Sequence, residues 1–139
     1  MSRKRSTIRL RRGNAAIEFA LILPVFFALL IGMFEMSWMF FQRASVIAAT
    51  REGCRSAAVI PDKAFQQAYA QTKIDENLFR YGIDCGGVQA CDIPAPTFDG
   101  AVPRETMRCE VTVEFRSLTG LIPVPPDMFA VNEILREAQ

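Results

Sequence analysis

The sequence predicts an α+β chain: a long N-terminal transmembrane helix that continues into a stalk, a second amphipathic helix, and a small antiparallel sheet head. Three observations lead there. Residues 19–34 carry no charge and follow a cluster of six bases. Beyond Phe41 an alanine-rich composition favours helix, with no proline until Pro61. Later, Met107, Cys109, Val111, Val113 and Phe115 alternate strictly with Arg108, Glu110, Thr112 and Glu114, the pattern of a half-buried strand. At 139 residues the chain is one domain by length, and whatever lies outside lipid is only a small folded unit.

The net charge of +1 hides an asymmetry. Arg3, Lys4, Arg5, Arg9, Arg11 and Arg12 supply six of the sixteen bases, and from Gly13 onward ten bases face fifteen acids. Beside an apolar run such a tail sets orientation, placing the N-terminus in the cytoplasm and everything beyond Trp38 on the far side. No nucleic-acid footprint is visible in the remainder, so the expected contact is membrane lipid and not nucleic acid. A helix needs roughly 20 apolar residues to cross a hydrocarbon core about 30 Å thick, and residues 19–34 with their flanks suffice. Trp38, Phe40 and Phe41 suit the outer interface. The run is longer than the core of a secretory signal and no A-x-A-like site follows it, so it is expected to be retained.

Two readings of the retained helix remain: an uncleaved anchor, and a chain cut on the cytoplasmic side of the apolar run. Gly13 and Glu18 bear on the choice. A carboxylate at mid-bilayer costs about 2.5–3.5 kcal/mol, less near the interface, and marks a functional candidate. Cleavage after Gly13 would make Asn14 a free amine and place Glu18 at the fifth mature position. Amine and carboxylate of neighbouring subunits could then neutralise each other, a pair worth about 4 kcal/mol at 4 Å and an effective dielectric of 20. Without such a cut, Glu18 is an acid that snorkels or stays protonated. Gly13, lacking Cβ, admits a protease close to the backbone. Pro24 removes one amide donor and frees the carbonyl of Ala20, which lipid tolerates only under cover of neighbouring helices. Glu35, near the opposite interface, is either an exposed interfacial acid or a pairing group.

The ordered series Arg-Arg-Gly13-Asn-Ala-Ala-Ile-Glu18-Phe-Ala-Leu-Ile-Leu-Pro24, then Gly32-Met-Phe-Glu35, Arg43-Ala-Ser and Ala48-Ala-Thr-Arg51-Glu52-Gly53-Cys-Arg55, resembles the start of TadE-like proteins. These are minor pseudopilins of the Flp (tight adherence) branch of type IV pili. The resemblance covers residues 11–58 strongly, with a looser likeness in "CEVTVEFRSLTGLIPVP" and "NEILREAQ". It implies a pilin-like fold, a leader at 1–13 removed by a membrane prepilin peptidase, and Glu18 as the family's glutamate, with Pro24 and Glu35 beside it as assembly residues. Asn14, the new terminus, stands where many type IV pilins begin with Phe or Met. The implied partners are other major and minor Tad pilins and the inner-membrane pilus assembly platform.

From Asn14 to Val59 a continuous helix would run roughly 69 Å, about twice the bilayer core, so half of it protrudes as a stalk. Arg43, Arg51 and Arg55 form a basic stripe on it, either solvated or set against an acidic neighbour. Phe40, Ala44, Ile47, Ala48 and Ala58 form an apolar stripe expected to receive the head. Residues 14–60 thus make the anchor and stalk, and 61–139 the head. Asp62 is a fitting N-cap for a helix over 63–81, with Phe65, Ala68, Tyr69, Thr72, Leu78 and Phe79 on its apolar face and Gly82 at its end. Residues 82–103 read as a Gly- and Pro-rich loop. Pro123, Pro125 and Pro126 break the chain after the strand at 107–116. For the last segment, propensity favours helix, whereas the family pattern implies a strand paired with 107–116, which we adopt.

Cys54, Cys85, Cys91 and Cys109 all lie beyond the span, where an oxidising compartment favours disulfides over a four-thiolate zinc site. Of three possible pairings, the short spacing of Cys85 and Cys91 suggests a local clip, leaving Cys54 to join Cys109. The chain has no histidine, which excludes Ser-His-Asp and Cys-His arrangements, and it has no phosphate loop or H-E-x-x-H motif. No catalytic residue, cofactor or metal is therefore expected. The function these observations predict is that of a minor pseudopilin stored in the inner membrane, head periplasmic, initiating or capping a Tad pilus used for adhesion. The alternative is an uncleaved membrane-anchored extracytoplasmic binding module.

Overall fold

A computed structural model describes residues 7–87, 89–101, 104–120 and 127–137. Two helices and four strands follow in the order α1 (Thr7–Ala58), α2 (Lys63–Arg80), β1 (Cys91–Asp92), β2 (Thr97–Asp99), β3 (Arg104–Glu114) and β4 (Asp127–Glu137). The α+β class with a helix long and apolar enough to cross a membrane is as expected. The strand at 107–116 begins three residues early, and the C-terminal segment is a strand despite its helical propensity. Pro123, Pro125 and Pro126 lie outside the described residues.

The chain leaves α1 through a short turn at 59–62, and Asp62 caps α2 by accepting from the Ala64 amide at 3.0 Å. The other end closes as a Schellman turn. Gly82 takes φ +80°, its amide donates to the Phe79 carbonyl, and the Ile83 amide reaches back to Leu78. α2 packs against α1 through Gln66, Ala70, Ile74, Asn77 and Leu78. This corrects the expected face: Phe65, Ala68, Tyr69, Thr72 and Phe79 point outward, and of the six only Leu78 is buried. The reason lies in the closeness of the helices. A Cβ on Gly53 would stand 2.4 Å from Cγ1 of Ile74 and 3.0 Å from its amide nitrogen, so there is no room at this crossing for aromatic rings.

The same closeness selects the packing face of the stalk. Gln42, Ser45, Val46, Ala49, Thr50, Gly53, Cys54 and Ala57 are buried, whereas Phe40, Ala44, Ile47 and Ala48, the expected stripe, are exposed, and Ala58 is half-buried. Small and short polar residues let backbone approach backbone. Ser45 and Thr50 satisfy their hydroxyls on the carbonyls of Phe41 and Val46, one turn back. Arg43, Arg51 and Arg55 are exposed and form no ion pair among the described residues.

β3 is the centre of the antiparallel sheet. It pairs along its whole length with β4, in a register setting Cys109 opposite Asn132, and on its other edge with β2 and β1. The two short strands correct the expectation of a plain loop over 82–103. That segment is tied down by α2, where Gln67 and Gln71 donate to the carbonyls of Pro96 and Ile93, each at 2.8 Å. Met107, Cys109, Val111 and Val113 face the helices and join Val46, Ala49, Cys54, Ala70, Ile74 and Leu78 in one core. Lys63, at the start of α2, pairs with Glu105 of β3 and stands over the Phe98 ring of β2.

Two contacts orient the sheet. Cys54 and Cys109 are bonded, and Trp38 Nε1 donates to the carbonyl of Arg116 at 3.1 Å. From Cys54 down to Trp38 is about 24 Å of helix, and from Cys109 to Arg116 is about 24 Å of extended chain. β3 therefore runs lengthwise down the stalk, returning the chain to the level of Glu35.

Candidate functional site

The N-terminal half of α1 carries the residues expected to mediate processing and assembly. The described helix begins at Thr7 and passes through Gly13 and Asn14, and residues 1–6 of the expected leader lie outside the described residues. Glu18 is exposed and makes no ion pair among the described residues. Pro24 lies inside α1, which continues through it as one element. Around them Ile17, Phe19, Leu21, Ile22, Val25 and Phe26 are each more than half exposed. None of the described residues covers this surface, so residues 15–34 present an apolar cylinder with one carboxylate near its start.

Glu35 ends that cylinder, and the structure does not leave it at the surface. It is 2% exposed. Its Oε2 accepts from the Leu118 amide at 3.0 Å; its Oε1 accepts from the Thr119 amide at 2.7 Å and the Thr119 hydroxyl at 2.6 Å. The Ser117–Gly120 bend, closed by Gly120 at φ +68°, wraps its amides around the carboxylate as an anion-binding nest would. All three are donors aimed at the two carboxylate oxygens, the charge-assisted arrangement by which main-chain amides hold an anion. One turn further on, the indole of Trp38 donates to Arg116 and stacks on Phe41 with ring centroids 5.7 Å apart. Glu35 is thus not the exposed interfacial acid of the first reading, and its carboxylate is held by the head of the same chain. The signal in the sequence was faint: an acid ending an apolar run, and far away a Ser-Leu-Thr-Gly stretch able to offer consecutive amides.

Above this clasp the head is held by the Cys54–Cys109 disulfide, which closes a loop of sequence separation 55 between α1 and β3. In the chain-entropy account such a bridge is worth roughly 4 kcal/mol. Cys85 and Cys91 form the second bridge, a clip of separation 6 around Gly86 and Gly87, worth roughly 2 kcal/mol by the same reckoning. Both pairs occupy thiols that a metal would need, and no other His, Cys, Asp or Glu cluster among the described residues could hold one.

Between clasp and clip lies a cleft of about 380 Å³ lined by Trp38, Gln42, Gly82, Asp84, Gln89, Arg116, Ser117 and Leu118. It holds no group of titrating pairs suited to acid–base work. Asp84 is engaged with the Gly86 amide and Gln89 with the carbonyl of Glu114. The arrangement can anchor, dock and transmit contact along a helix.

Residues 13–55 match the sequence model of a family described as TadE-like protein. No curated protein and no solved structure matches the chain.

Proposed function

On the premise that residues 13–55 are TadE-like, we propose that this chain is a minor pseudopilin of a Tad (Flp) pilus, a structural subunit that starts or caps the filament in surface attachment. The observation that carries the proposal is the extent of the match. It opens at Gly13, the residue before the proposed cut, and runs through Glu18, Pro24 and Glu35. In this reading residues 1–13 are a leader held at the cytoplasmic face by its arginines and removed by a prepilin peptidase. The mature chain, 14–60 as anchor and stalk and 61–139 as periplasmic head, waits in the inner membrane. It then enters a helix bundle with major and minor Tad pilins through the assembly platform. Glu18 meets the Asn14 amine of a neighbour, and the uncovered apolar cylinder of α1 supplies the area that drives docking. The work is structural and involves no catalysis.

Intact mass and N-terminal sequence of the protein from membranes of its native host, beside a Gly13→Arg variant, test this. The expected result is a mature chain starting at Asn14, lost in the variant. An intact leader in cells that build the pilus would overturn it. The alternative, an uncleaved anchored binding module, finds one supporting observation: α1 is unbroken helix across the bond between Gly13 and Asn14. The same mass measurement separates the two.

A further inference from the structure

The lower end of the head is built to touch lipid. β3 descends the stalk and delivers its bend to Glu35 and Trp38, the level at which the apolar cylinder of α1 ends. At that level Leu118 is 60% exposed, although the amide beside its side chain is fixed on a buried carboxylate. Phe40 and Phe41 are also exposed there, on the stalk. Arg116 sits next to them, exposed and without an acid partner among the described residues, and lines the cleft with Trp38, Gln42 and Leu118. An apolar tip, an indole at the rim and a free guanidinium at one height are the complement of an acyl boundary with phosphates above it.

We propose that this end of the head is a second membrane contact. Leu118 enters the outer acyl boundary of the bilayer that α1 crosses, and the cleft above it takes a phospholipid headgroup whose phosphate pairs with Arg116. The clasp at Glu35 sets the height of the bend, so the head stands on the membrane instead of swinging about its stalk. The inference rests on α1 spanning a membrane with residues 35–41 at the far face.

The test uses the full chain reconstituted in vesicles of phosphatidylethanolamine and phosphatidylglycerol. A polarity-sensitive fluorophore is placed at Leu118→Cys, Phe26→Cys or Phe129→Cys, and quenchers are carried at shallow or deep acyl positions. The expected result is shallow quenching at 118, deep quenching at 26 and none at 129. Arg116→Gln keeps the main-chain carbonyl that receives Trp38, so the clasp stays closed, and it should lower the quenching at 118 toward that at 129. A probe at 118 as dry of quencher as 129, with 26 still quenched, overturns the contact and leaves the membrane reading standing. Loss of quenching at 26 as well removes the premise, and the pseudopilin reading with it. Quenching at 118 that Arg116→Gln does not change overturns the headgroup part of the proposal.

Discussion

The two halves of α1 share one helix and follow opposite rules. Residues 15–34 carry Glu18 as their one charge, thirteen of the twenty are large and apolar, and all but Leu23, Leu30 and Gly32 are exposed. Residues 35–57 bury a face of Glu35, Gln42, Ser45, Val46, Ala49, Thr50, Gly53, Cys54 and Ala57, much of it small or polar. The upper half carries its partner in its own chain, and the two meet by close backbone approach at a glycine, with hydroxyls satisfied one turn back. The lower half meets no partner among the described residues and is apolar all round, a surface suited to lipid or to other helices. Where a helix expects a known neighbour it becomes small; where it expects many it stays greasy.

That contrast can be broken most forcefully in the upper half. Ile74→Ala, at the crossing of α2 over Gly53, should cost about 2–5 kcal/mol in chemical denaturation of the full chain in micelles. Replacing Cys54 and Cys109 together by alanine should remove about 2–4 kcal/mol under the same assay and leave the sheet free to part from the stalk. Glu35→Gln keeps the shape but turns two of its four lone-pair sites into donors facing donors. A loss of about 1–3 kcal/mol is expected, seen first as proteolysis at the 116–120 bend. Gly53→Ala gains helix propensity worth about 1 kcal/mol but meets Ile74 backbone, so a net loss of roughly 1–2 kcal/mol is expected. An increase in stability there would mean the helices stand further apart than described. The smallest effect belongs to the outward rings of α2: Phe79→Ser should stay within about 0.5 kcal/mol. A large loss would show that the two faces of α2 have been exchanged.

The two helices and the strand at 107–116 were legible in sequence, and the packing faces of the helices were not. Asp62 and Gly82 bounded α2 to within a residue because caps are local chemistry. The alternation from Met107 to Phe115 revealed β3 because its outward positions are charged or hydroxylic. β4 was expected as a strand on the family pattern and not on its period, because its outward row, Asp127, Phe129, Val131, Glu133 and Leu135, mixes apolar and charged residues as its inward row mixes Met128, Ala130 and Ile134 with Asn132. β1 and β2, with two and three residues, are too short to leave a pattern. On α1 and α2 hydropathy pointed to the wrong stripes, since the close crossing at Gly53 rewards small size and leaves Phe65 and Phe79 outside. Of the residues expected to mediate assembly, Glu18 and Pro24 drew notice by standing in an apolar run. The role of Glu35 depends on Leu118 and Thr119, more than eighty residues away, and only the fold brings them together.

The lengthwise course of β3 beside the stalk also fixes how the molecule bears tension. A pull along α1 against a held head does not peel the sheet away one contact at a time. It loads the Glu35 clasp, the buried face and the Cys54–Cys109 bridge together, in shear, with the covalent link in the upper part of the seam. Such a joint yields as a unit, so a pull on the head would reach α1 before the head came loose.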